Sequence, residues 1–215
     1  MKLYDWKLAP NPRRVKMFLA EKHIPVELEE VGEPGTFNLK KDFVARFDPY
    51  ALTPTLELDD GNCLGEAMAI CRYLEELHPE PCLMGKDALG KATVEMWERR
   101  AYEGAMFAIS ELLRNTSPGF VDRGLPGTSE TIQQVPELVE RGKGRLTRFS
   151  RSADKQLAKN RFLAGSAFSV ADITAYCALE FLSRGMKMSI PSELPSLSRW
   201  FAEVGERKSA KSTQP

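Results

Sequence analysis

Three short runs of this sequence put chemically useful groups where strands and helices must begin. In Leu52-Thr53-Pro54-Thr55-Leu56-Glu57-Leu58 the proline heads a run of alternating β-formers, where its missing N–H is tolerable. The Thr53 backbone is then free to pair with an extended visitor instead of a neighbouring strand. Glu66 opens a helical pattern, and a helix start has unpaired N–H groups and a positive dipole end. Its neighbourhood can therefore hold an ammonium and a carboxylate together, and an α-amino acid carries both. Asn11-Pro12 is the third run, an amide ahead of a proline at the start of another helix. Each has a plain structural reading too: Pro54 can end a loop, and Glu66 and Asn11 can simply cap.

The elements that position these groups follow from periodicity. Met1 to Trp6 reads as a strand, Arg13 to about Glu21 as a helix with Asn11 as N-cap and Pro12 at its first position, and Val26 to Val31 as a second strand. Gly32 to Asn38 is a Gly/Pro loop, and Leu39 to Phe47 is a short charged helix stopped by Asp48-Pro49. The Thr53-Pro54 run then gives a strand, turned at Asp59-Asp60-Gly61-Asn62 into Cys63-Leu64. Met68, Ile70, Cys71, Leu74 and Leu77 recur at helical spacing, so a helix runs from about Glu66 to the stop at His78-Pro79. The order is β-α-β-α-β-β-α, which is the thioredoxin order.

Beyond Pro79-Glu80-Pro81 the pattern is helical almost throughout, which divides the chain into an α/β domain (1–79), a linker (80–86) and an all-helical domain (87–215). Expected helices are Ala88 to Asn115, Glu130 to Leu157, Ser169 to Arg184 and Leu197 to Arg207. Asn115 to Thr131 reads as a surface loop, and Lys208 to Pro215 as a disordered tail. Ser169 and Asp172 have capping-box spacing, and loss of such a cap costs on the order of 1 kcal/mol.

Composition narrows the classes. The chain has 215 residues, 42% hydrophobic and 28% charged, enough to bury a real core. Lys plus Arg and Asp plus Glu number 30 each, and no basic block sits beside aromatic platforms, which argues against nucleic acid. No apolar run approaches a membrane span, and no signal-peptide core precedes Leu3, so a cytoplasmic location is expected. Cys63, Cys71, Cys82 and Cys177 have no C-x-x-C or metal-like spacing and read as small buried hydrophobes, with no metal site.

Taken together and in order, several pieces resemble the cytosolic glutathione S-transferases, bacterial type, over essentially the whole length. They are Leu3-Tyr4 with Ala9-Pro10-Asn11-Pro12-Arg13, Asp48-Pro49 with Thr53-Pro54, Leu56-Glu57-Leu58-Asp59-Asp60-Gly61, Glu66-Ala67 with Ala69-Ile70 and Tyr73-Leu74, and Phe162-Leu163-Ala164-Gly165 with Ser169-x-Ala171-Asp172. The resemblance implies a thioredoxin-like domain that binds glutathione as substrate, an all-helical domain that supplies a hydrophobic cosubstrate pocket, and a homodimer. It also implies that Thr53 pairs with the cysteinyl part of glutathione, that Pro54 is cis, and that Glu66 takes the γ-glutamyl ammonium.

Two positions depart from the family pattern. Where a Ser or Asp usually follows the Glu, this chain has Ala67, so only the backbone N–H remains for the γ-glutamyl carboxylate. A lost charge-assisted hydrogen bond costs roughly 1.5–3 kcal/mol, a factor of about ten to a hundred in affinity. Ala9 occupies the place of the hydroxyl or thiol that several classes set beside the glutathione sulfur. What remains is the helix start and the Asn11 amide; lowering a thiol from about 8.5 to about 6.5 needs about 2.7 kcal/mol. Asn11 can be donor, N-cap or both, and Tyr4 is a weaker alternative.

Trp6, Tyr102, Met106 and Phe107 can line the hydrophobic pocket, or equally be core. Tyr50 stands where some classes insert an aromatic key into the partner subunit. Two function classes follow: an enzyme that activates the glutathione thiol against a hydrophobic electrophile, or for disulfide exchange, and a non-catalytic relative with weakened glutathione affinity, favoured by Ala9 and Ala67.

Overall fold

The alternating segments of the first third build a four-stranded sheet: β1 (Lys2–Asp5), β2 (Glu27–Glu30), β3 (Thr55–Glu57) and β4 (Cys63–Leu64), in the order β2-β1-β3-β4. In this computed structural model, residues 1–34, 36, 38–47, 51–128 and 130–215 are described. β1 and β2 are parallel, joined through α1 (Pro10–Lys22), whereas β3 and β4 are antiparallel additions. Strand period 2 splits the sheet's faces. Leu3 and its partner Leu56 are fully buried with Val15, Phe18, Ile70 and Leu74 of α1 and α3 (Ala67–Leu77). Tyr4 belongs to a separate small cluster with Val31 and Phe43 of α2 (Lys41–Phe47). The expected β-α-β-α-β-β-α order is thus the observed one.

The helical domain comprises α4 (Ala88–Ala101), a π-helical stretch (Tyr102–Met106), α5 (Phe107–Thr116), α6 (Glu137–Leu157), α7 (Val170–Met186), α8 (Pro195–Gly205) and α9 (Lys208–Ser212). Where one helix was expected over Ala88 to Asn115, the π turn interrupts it. Gly104 sits there against Phe149 of α6, so close that a Cβ would lie 2.7 Å from the Phe149 Cβ. The helix expected from Glu130 starts only at Glu137. Pro136 disfavours helical backbone before it, and Ile132 instead bridges to Arg123 in extended form. The capping box of α7 is present: the buried Asp172 carboxylate accepts from the Ser169 N–H at 3.0 Å and also from Trp200 Nε1 at 2.8 Å.

The tail is ordered, contrary to its composition. Arg207 grips Glu21 of α1 with two bonds of 2.8 and 2.6 Å, and the Ala210 carbonyl accepts from Arg13 Nη2 at 3.1 Å. Ser209 and Ala210 are buried as a result. The cysteines divide as well: Cys71 and Cys177 are buried, as expected, but Cys82 is only half-buried and Cys63 is exposed because β4 is a two-residue edge strand.

Candidate active site

Strand register, with the turn in which the Ala9 N–H donates to the Trp6 carbonyl, brings the three chemical runs to one edge of the sheet. β1 and β3 are antiparallel with Tyr4 opposite Thr55, so continuing the register sets Trp6 level with Thr53. β4 lies antiparallel to β3 with Leu64 opposite Leu56, and two further steps set Glu66 level with Pro54. The segment leaving β1, the approach to β3 and the start of α3 therefore meet.

Each arm of this edge leaves backbone or charge available. The Thr53-Pro54 bond is cis, and Thr53 lies half-buried outside the strand pairing. Thr55 Oγ1 donates to the Leu52 carbonyl at 2.9 Å and holds the approach to β3 in place. Glu66 is exposed at the N-cap of α3 with φ 61°, and its carboxylate makes no cap hydrogen bond. A non-glycine in the left-handed region is uncommon and concentrates at ligand clamps. Ala67 follows with its methyl buried in the core, leaving the first N–H of the helix to face an anion.

The start of α1 is narrower in its means than its sequence suggests. Ala9, not Asn11, is the N-cap, because the turn closes earlier through the Ala9 N–H donating to the Trp6 carbonyl at 2.8 Å. Asn11 is the second helical residue. Pro10 and Pro12 flank it without N–H groups, so in this turn the Asn11 backbone N–H is the one left to donate outward. Its side chain is fixed as well: Oδ1 accepts from Arg14 Nη1 at 3.0 Å. Because a guanidinium only donates, that end must be the oxygen, and the NH2 end remains a donor.

Arg14 is the neighbour of Asn11 that sequence reasoning missed. It is 2% exposed, yet fully engaged: Nε donates to Thr174 Oγ1 at 3.0 Å and Nη2 to Glu98 Oε1 at 2.6 Å. Burial pushes the Glu98 carboxyl above its ordinary value, against the pull of Arg14. The signal was present in Arg13-Arg14-Val15, two cations running into the apolar face of a helix, but their partners lie in other elements. The Tyr102 ring sits 5.5 Å from the Arg14 guanidinium. Burial raises its phenol, and the charge of Glu66 raises it further.

The remaining expected residues scatter. Trp6 packs on the backbone of Gly32, where a Cβ would lie 2.0 Å from its Cδ1, so it walls the same edge. Met106 is core rather than pocket wall, 5% exposed within the main hydrophobic cluster; Phe107 is half-exposed beneath Arg145. Tyr4 does not reach the site: it lies on the α2 face, bonded to Glu57 at 2.5 Å and to Arg46, and burial and Glu57 push its phenol up. Tyr50 and Asp48-Pro49 fall outside the described residues. No protein thiol is activated at Cys63, Cys71 or Cys177, since burial raises all three, the latter two to about 12.

Comparison with known proteins decides the family. Residues 3–82 match the model of the glutathione S-transferase N-terminal domain and residues 136–203 that of the C-terminal domain. Glutathione S-transferase 2 of Saccharomyces cerevisiae is 30% identical over 213 residues, 98% of this chain and 88% of the relative. The chain belongs to the glutathione S-transferase family. A glutathione S-transferase domain-containing protein of Marinobacter aquaeolei superposes with a TM-score of 0.85 at 36% identity, covering 98% of this chain and 100% of that one. A glutathione S-transferase of Methylobacillus flagellatus with glutathione bound gives a TM-score of 0.81 at 27% identity, with coverage of 100% and 98%. The family's fold, a small mixed sheet with helices and a helical second domain, is the one described above, and no helix among the described residues is long and apolar enough to cross a membrane.

Proposed function

We propose that this protein is a cytoplasmic, homodimeric glutathione transferase, with residues 1–79 binding glutathione, 80–86 as linker and 87–215 carrying the cosubstrate pocket. The observation that carries the reading is the convergence of Thr53-Pro54, Glu66-Ala67 and the start of α1 at one sheet edge. The γ-glutamyl ammonium meets Glu66, its carboxylate meets the Ala67 N–H, and the cysteinyl backbone pairs with Thr53. The sulfur then reaches Asn11, whose backbone N–H and side-chain NH2 donate to the thiolate once its proton has passed to water. The thiolate attacks an electrophilic carbon, forming the C–S bond as the electron pair leaves on the displaced group. Trp6 and Tyr102 supply apolar surface for that electrophile. Attack on an electrophile and glutathione-dependent exchange on a disulfide both start from this thiolate, and turnover of an electrophile set beside that of a disulfide separates them.

The non-catalytic alternative draws support from Ala9 and Ala67, which lack side-chain donors. Turnover of a general electrophile together with glutathione titration separates the two: tight binding without turnover sinks the enzyme. The residue-level test is Asn11→Asp, which keeps an acceptor for Arg14 but turns a carboxylate toward the sulfur. The thiol pKa should rise by about one unit, slowing attack about ten-fold at neutral pH, with melting temperature nearly unchanged. An unaltered pH–rate profile removes Asn11 from the chemistry.

A further inference from the structure

We propose that Arg14 is a positioning residue for the thiol site: clamped by Glu98 and Thr174 of the helical domain, it fixes the Asn11 amide with its NH2 end toward the sulfur. The inference rests on Asn11 acting on the glutathione thiolate.

Arg13 and Arg14 are neighbours on α1, both almost fully buried, and such cations persist only when paired. Arg13 meets Glu180 at 2.5 Å, the Ala210 carbonyl at 3.1 Å and the Tyr176 ring, all far along the chain and none at the sheet edge. Arg14 is different in one arm. Two arms of its fork are taken by Thr174 at 3.0 Å and Glu98 at 2.6 Å, and Thr174 also donates to Glu98 at 3.2 Å, closing a buried triangle. The third arm alone points back to Asn11, at 3.0 Å. A planar fork held at two points has no freedom left at the third, which is what a lysine could not reproduce. The amide is thereby denied the flipped orientation, in which its oxygen would face a thiolate. Glu98 and Thr174 come from α4 and α7, so the helical domain reaches the sulfur through Arg14 without touching it.

Arg14→Lys keeps the charge and removes the fork, and the readouts are ones that a purely structural role would leave alone. The thiolate absorbance of bound glutathione, titrated with pH, should shift up by about one unit, and kcat/KM should fall about ten-fold at neutral pH and converge with the parent at alkaline pH. Binding of S-methylglutathione, which has no thiol to ionise, should stay within about two-fold. An unshifted thiol pKa overturns the proposal. If Asn11→Asp shifts the pKa and Arg14→Lys does not, the amide acts without its anchor; if neither does, the reading of Asn11 itself has failed. In an Asn11→Ala background Arg14→Lys should have no further effect, since it acts through that amide, and an equal shift there would mean that Arg14 acts directly. Should Arg14→Lys fail to fold, Thr174→Val, which keeps every charge, should shift the pKa the same way by a smaller amount, and no shift in that variant overturns the proposal as well.

Discussion

The two ends of α1 solve the same problem in opposite ways. At the C-terminal end His23 enters the left-handed region at φ 56° and Ile24 donates back to the Leu19 carbonyl at 3.0 Å, so the last carbonyls are satisfied locally. Lys22, its side chain fully buried, pairs with Glu75 at 2.7 Å and donates to the His78 and Pro81 carbonyls at 2.5 and 2.8 Å. At the N-terminal end no side chain caps, two of the first three residues are prolines, and the Asn11 N–H is the backbone donor left over in that turn. A helix end sealed from all sides contributes to stability; one left open after everything around it has been fixed can contribute to binding. The start of α3 is of the second kind.

The contrast can be broken most forcefully at the sealed end. Lys22→Met leaves Glu75 buried without its cation and should cost about 3–5 kcal/mol in denaturant unfolding, while glutathione affinity of the folded fraction stays at the parent value. A shift in affinity there would erase the distinction. At the open end the pattern should invert. Glu66→Gln should weaken glutathione binding about ten- to a hundred-fold, an interaction of roughly 1.5–3 kcal/mol, with stability changed by less than about 0.5 kcal/mol. Calorimetric titration beside a melting curve checks both halves. Little change in affinity is expected next to it: Ala67→Ser sets a hydroxyl where the methyl is buried in the core, so binding should stay within about two-fold while stability falls by about 1 kcal/mol. A several-fold gain in affinity would mean that the side chain at 67, and not the N–H alone, faces the γ-glutamyl carboxylate.

The smallest effect concerns the docked tail, again at the sealed end. Burial raises the Glu21 carboxyl, but the bonds from Arg207 and Ser209 outweigh it and hold the group below its ordinary 4.5. A folded-state value below the unfolded one gives stability that is present above pH 4.5 and lost as the pH falls through the lower, folded value. Amides of α9 should thus lose hydrogen-exchange protection on acidification before those of α7 do. Simultaneous loss would mean that the tail has no independent anchor.

Local signals carried the reading of the sheet and its edge, and distant partners limited it. Thr53-Pro54 and Glu66 were legible because proline at a strand head and an acid at a helix start have meaning within a few residues. Asn11 was misplaced as a cap because Pro10 and Pro12 both suit a helix start, and only the Ala9 to Trp6 bond chooses between them. The Arg14 cluster could not be read, since Glu98 and Thr174 lie 84 and 160 positions away. The same holds for the tail: Lys208 to Pro215 has the composition of a disordered end, and its anchors Arg13 and Glu21 are near the other terminus. In Tyr102 to Met106 local spacing did not reveal the π turn, where Gly104 packs against Phe149 of another helix.

The borders of the sheet also bear on whether a second chain could extend it. All four residues of β2, Glu27, Leu28, Glu29 and Glu30, are exposed, and three carry negative charge along a strand with one unpaired side. The other border, β4, is two residues long. A second chain that tried to extend the sheet would meet like charge at one border and almost no template at the other, the usual defence against edge-to-edge fibre growth. Lys2, bonded to Glu29 at 3.1 Å and 3.3 Å from Glu27, keeps the repulsion from opening the sheet on its own side.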